Sequence, residues 1–148
     1  MLQENIKITG DVHVQLFDKD GNVKEERKIK NLVVTTGKGF IAASMLKTTT
    51  NSPVAMTHMA IGSGNTAAAA GDTALGTELG RVTTSGSNTG AVTTFTSTFP
   101  AGTGTGAVTE AGIFNASSSG TMLCRTVFSV VSKGAADAMS VTWAITVS

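Results

Sequence analysis

Three glycines, Gly102, Gly104 and Gly106, stand at every second position of AGTGTGAVTEAGIF, residues 101–114. Glycine at such spacing lets a backbone wrap a phosphate, provided a helix N-terminus follows and aims its free N–H groups at the anion. Two segments satisfy the looser dinucleotide pattern, Gly102-x-Gly104-x-x-Ala107 and Gly62-x-Gly64-x-x-Ala67. After the first, AVTEAGIF alternates apolar residues and is rich in strand formers, so the required helix fails. No acid follows at the roughly 20-residue distance from which a ribose is held. After the second, AAAGDTALG is a better helix former, but Gly71 and Gly76 break it and the next element is again a strand. Both clusters predict turns.

The other chemistries also lack a full constellation. TTGKGF carries Gly37-Lys38 followed by Gly39, without the upstream glycine or the Ser/Thr of a phosphate-binding loop. His13 and His58 lie far apart in apparent strands, and Cys124 is the lone cysteine. These three make no metal set, and Cys124 reads as a buried small apolar residue. DKDGN offers Asp18, Asp20, Gly21 and Asn22 as the start of a calcium loop, but Ile29 occupies the place of its bidentate Glu. There is no Gly-x-Ser-x-Gly elbow, and two histidines are few candidates for a general base. Sugar stacking would recruit exposed aromatics, whereas the single Trp143 shares strand parity with Met139, Val141, Ile145 and Val147 and reads as core. The sequence names no catalytic, cofactor-binding or metal-ligating residue, and a non-enzymatic protein without cofactors is expected.

The elements that carry these residues are mostly strands. Residues 5–17 alternate Ile6, Ile8, Val12, Val14 and Leu16, DKDGN supplies an Asp-Gly turn, and VKEERKIKNLVV returns. Residues 5–34 thus predict a β-hairpin, and residues 1–36 a charged N-terminal hairpin packed on, or extending from, a single β-rich domain spanning residues 1–148. GKGFIAASMLK, residues 37–47, is the one helical stretch, with Lys47 suited to its C-terminal end; a further helical turn is expected near 72–79. From residue 54 onward VAMTHMAIG, RVTTSG, AVTTFTSTF, AVTEAGIF, TMLCRTVFSVV and AMSVTWAITV read as strands, with a small-residue loop at 63–80. About eight strands with recurrent turns predict an all-β antiparallel sandwich, jelly-roll-like in outline.

Composition narrows the partners. Charged residues make up 14% of the chain, net charge is +1 and hydrophobic residues reach 41%, so disorder is not expected and no global field favours nucleic acid or an anionic membrane. Residues 1–47 hold eight of the Lys/Arg and six of the acids, and the rest of the chain is nearly free of charge. The polar start MLQENIKITGD does not resemble a signal peptide, and no apolar run is long enough to span a bilayer.

NLVVTTGKGFIAASM, then MTHMAIGSGNTAAAAGDTALGTELGR, then GAVTEAGIFN and GTMLCRTVFSVVSKGAADAMSVTWAITV follow one another in an order that resembles a family of small bacteriophage virion proteins. The resemblance covers roughly residues 30–148. It implies a β-rich structural protein made in the host bacterial cytoplasm and assembled on the virion. The compact length favours a capsid cement or decoration protein on the outer surface of the head over a tail or fibre component or receptor-binding adhesin. The expected partners are the major capsid protein and further copies of the chain, with a trimer favoured over a dimer on two-fold positions.

Overall fold

The computed structural model describes residues 4–46 and 53–148. Strand takes 54% and helix 7% of the described residues, in two antiparallel sheets packed together as an all-β sandwich.

β1 (Ile8–Phe17) and β2 (Val23–Lys30) form the expected hairpin. Its turn closes on its own carboxylate: Asp18 Oδ1 accepts the N–H groups of Asp20 and Asn22, each at 2.9 Å, while Gly21 takes φ +84°. The hairpin ladder ends at Asp11↔Lys30, short of the expected residue 34. Asn31 turns the chain, and β3 (Leu32–Val33) pairs with the second sheet instead. α1 (Thr35–Ser44) begins earlier than the sequence pattern suggests. Lys47, expected at its end, lies outside the described residues.

β4 (His58–Gly62), β5 (Glu78–Thr83), β6 (Ser85–Thr89), β7 (Val92–Phe99), β8 (Gly106–Phe114), β9 (Met122–Lys133) and β10 (Ala138–Val147) follow, which makes ten strands among the described residues where about eight were expected. The two additions, β3 and β6, are short and carry no apolar alternation. No helical turn forms at 72–79. Gly102 (φ +85°) and Gly104 (φ +70°) sit in the turn that leads from β7 to β8. A Cβ on Gly104 would stand 2.5 Å from Ile61 Cδ1, so glycine there serves close packing as well as the turn.

One sheet runs β2-β1-β10-β7-β6 and the other β3-β9-β8-β4-β5, antiparallel throughout. These are the first and the second sheet. β1 pairs with β10 along its whole length, from Ile8↔Val147 to Phe17↔Ala138, so the hairpin is part of the first sheet. The inner faces meet over Val12, Val14, Leu16, Met59, Ile61, Phe99, Ile113, Val131, Val141 and Trp143. Burying each of the larger of these side chains is worth about 1.5–3 kcal/mol. α1 packs on β9 through Gly37, where a Cβ would lie 1.9 Å from the Leu123 carbonyl oxygen, and it turns Phe40 and Ile41 toward the core.

The two outer faces differ. That of the second sheet carries Ala60, Phe114 and Met122, and these are buried together with Val34 under the partly buried Leu75 of the 63–77 loop. That of the first sheet carries no such cover among the described residues.

Candidate functional site

Glu110 is the centre of the largest polar cluster. A bulge between Val108 and Glu110 sets its side chain on the covered outer face of the second sheet, beside Gly112 and Phe114. Oε1 accepts from the N–H groups of Gly64 and Thr77, both at 2.8 Å. Oε2 accepts from the Gly76 N–H at 2.9 Å and from Arg125 Nε at 3.0 Å and Nη2 at 2.9 Å. Arg125 also donates to Asp72 Oδ2 at 2.8 Å and to the Thr66 carbonyl at 3.0 Å. The Ala70 carbonyl in turn takes the Thr35 N–H at the start of α1, at 2.8 Å.

The glycine motif at 62–67 therefore does wrap an anion, and the anion is the chain's own carboxylate. A Cβ at Gly62 or at Gly64 would stand 2.6 Å from Glu110 Oε1, which is why both positions need glycine. Burial by itself would raise the Glu110 pKa; the N–H groups of Thr77 and Gly76, the Arg125 guanidinium and the Gly64 N–H outweigh it and hold the carboxyl below its ordinary value. A carboxylate has about four lone-pair sites, and this one already takes five donors. Chemically the cluster is a clamp that fixes the 63–77 loop over the sheet. The sequence did carry a signal for it: Glu110 and Arg125 are the lone charges of AVTEAGIF and TMLCRTVFSVV, and buried charges come in pairs.

Other reactive groups are similarly engaged. Lys133 is buried and its Nζ donates to the Asp137 carbonyl at 2.7 Å and the Pro100 carbonyl at 3.0 Å; burial lowers its pKa. Asp137 takes Lys24 Nζ at 2.9 Å and the Gly134 N–H at 2.8 Å, and these hold its carboxyl below the usual range. Cys124 is fully buried, as expected, and burial pushes its thiol far up. His13, on β1, meets Glu26 on the outer face of the first sheet, whereas His58 lies in the second sheet beside Thr57, so the fold does not bring the two histidines together. Trp143 is buried in the core with Val141 and Phe128.

What remains open is the outer face of the first sheet. Strand register sets its residues in rows: Thr9, Thr146, Val92 and Thr89; then Asp11, Ala144, Thr94 and Ser87; then His13, Thr142, Thr96 and Ser85. The β10, β7 and β6 part of this face is built of Thr, Ser, Ala and Val without a charge, while Lys28, Lys30, Glu26, Asp11 and His13 gather at the β1–β2 side. Comparison with protein-family models, curated proteins and solved structures finds no match. Among the described residues, no helix is long and apolar enough to cross a membrane.

Proposed function

We propose that the chain is a bacteriophage virion structural protein, a cement subunit that binds the outer surface of the head and stabilises the shell. The observation that carries this reading is the contrast between the two outer faces. One is covered by the chain's own loop, clamped through Glu110 and Arg125. The other is a sheet surface whose β10, β7 and β6 rows hold no charge. Such a surface can be brought against a neighbouring protein with little desolvation cost, because no ion has to leave water. The order of the sequence segments, similar to that of small phage virion proteins, supports the same reading.

The mechanism is binding without chemistry. Each copy adds contacts that exist only in the assembled shell, and a modest free energy per copy is repeated across the lattice. The assembled state in turn stabilises the folded subunit by mass action. The partners are the major capsid protein and further copies of this chain, since closed symmetric assemblies leave no interface unsatisfied. Imaging of purified particles tests the assignment. A copy number in proportion to the capsomers, with density on the head exterior, supports cement; a few copies confined to the tail would make the protein a tail or fibre component instead.

A further inference from the structure

We infer that β6 is a pairing edge, and that its occupant is the β6 strand of a second copy, antiparallel across a two-fold axis at Ser87. This inference does not depend on where in the particle the protein sits.

Sheet edges are normally blunted by charge, brevity, bulges or cover. Three of the four edges here follow that rule. β2 reads VKEERKIK and is rich in charge. β3 has two residues. β5 carries Glu78 and Arg81, paired to each other, next to a bulge at Ile61/Gly62. β6, SGSNT, has five exposed residues with no charge and no proline, and its ladder to β7 runs without a bulge.

The direction of its free backbone groups follows from the ladder. Thr89 and Val92 flank the two-residue turn Gly90–Ala91, and the Val147 N–H is given to the Ala91 carbonyl at 3.0 Å. β7 therefore turns residues 91, 93 and 95 toward β10 and residues 92, 94 and 96 toward β6. Ser85, Ser87 and Thr89 bond to β7, which leaves the N–H and C=O groups of Gly86 and Asn88 pointing away from the sheet. Among the described residues no strand lies beyond them.

A second β6 satisfies these groups without conflict. Antiparallel pairing centred on Ser87 sets Gly86 opposite Asn88 of the other copy, twice, so all the outward donors and acceptors of both residues are met. Ser87 faces Ser87 at a non-hydrogen-bonded position, and no like charges oppose one another across the seam. The charged β2 strands lie at the two far ends, and the uncharged outer rows run on from copy to copy. Of the two symmetries that fit the sequence, two-fold pairing is the one this edge accepts.

Ser87→Cys tests the arrangement in the full chain. Non-hydrogen-bonded partners have Cα atoms about 4.5 Å apart, within disulfide reach, so oxidised glutathione should trap a covalent dimer. Ser85→Cys, on the same face, places the two sulfurs' residues roughly 13 Å apart and should not crosslink. Native Cys124 is buried and does not interfere. Ser87→Lys should weaken self-association at least tenfold in sedimentation, and mixing it with Ser87→Glu should restore pairing. In the unmodified chain, hydrogen exchange at the Gly86 and Asn88 amides should slow as concentration rises, while Ser87 should not respond. Equal trapping of both cysteine variants, absence of trapping with Ser87→Cys, or protection of Gly86 and Asn88 that is already complete in the dilute monomer would each overturn the pairing.

Discussion

Arg125 sends two hydrogen bonds, from Nε at 3.0 Å and from Nη2 at 2.9 Å, to the same oxygen of Glu110, and both side chains are buried. The pair joins β8 to β9 and, through Asp72 and Thr66, holds the long glycine-rich loop against the sheet. A buried ion pair of this kind gives little net stability over an apolar pair, but removing Glu110 leaves buried Arg125 with only the partly exposed Asp72 as counter-charge and strips the Gly64, Gly76 and Thr77 N–H groups of their carboxylate.

Glu110→Gln should therefore destabilise the protein by about 3–5 kcal/mol. The new amide NH2 would also face backbone N–H groups that now donate to a carboxylate. Chemical denaturation measures the loss. A cost below about 1 kcal/mol, the range of exposed pairs, would show that the clamp is not closed in solution.

The same carboxylate sets a pH dependence. Folding holds its pKa below the unfolded value, so its contribution is complete above about pH 4.3 and is lost as pH falls through the lower, folded value. Asp137, lowered chiefly by its hydrogen bond from Lys24, acts in the same direction. Denaturation midpoints taken between neutral and acid pH should fall on the acid side, and Glu110→Gln should flatten that fall. Stability that rises as pH drops through this window would contradict the assignment.

Two glycines of α1 should respond in opposite ways to alanine. Gly37→Ala drives a Cβ to within 1.9 Å of the Leu123 carbonyl and must push the helix off β9. A Cβ on Gly39 would meet nothing within 4 Å, so Gly39→Ala should stabilise by about 0.4–1 kcal/mol through the unfolded chain. Melting temperatures of the two variants should move apart; a shared direction would place the helix elsewhere.

Where the chain alternates apolar residues, the architecture was legible. Val12, Val14 and Leu16 face inward as their spacing requires, and so do Met139, Val141 and Trp143. β6 was not legible, because SGSNT contains no apolar residue and is a strand only by its pairing with β7. β3 was hidden for a related reason: nothing in IKNLVV marks Asn31 as the point where the chain changes sheets. The glycines at 62 and 64 lead from β4 into a loop and not into a helix, as the breakers Gly71 and Gly76 predict. Their actual partner, Glu110, is 46 residues beyond Gly64, at a separation that no local pattern encodes.

Trp143→Ala should cost roughly 3–5 kcal/mol, as for a large, fully packed aromatic, since Trp143 has no exposed surface. Its Nε1 has no hydrogen-bond partner among the described residues. Trp143→Phe should consequently be much milder than Trp143→Ala, because it removes an unsatisfied buried donor along with part of the ring. Equal losses for the two variants, read by denaturation, would mean that the indole N–H is satisfied in solution.

The cement reading is tested most directly on the particle. Heads stripped of this protein should release their DNA at lower temperature or under milder osmotic shock than intact heads, and should recover when the purified protein is added back. Stripped heads as robust as intact ones, with adsorption to cells lost instead, would contradict the account and make the protein an adhesin.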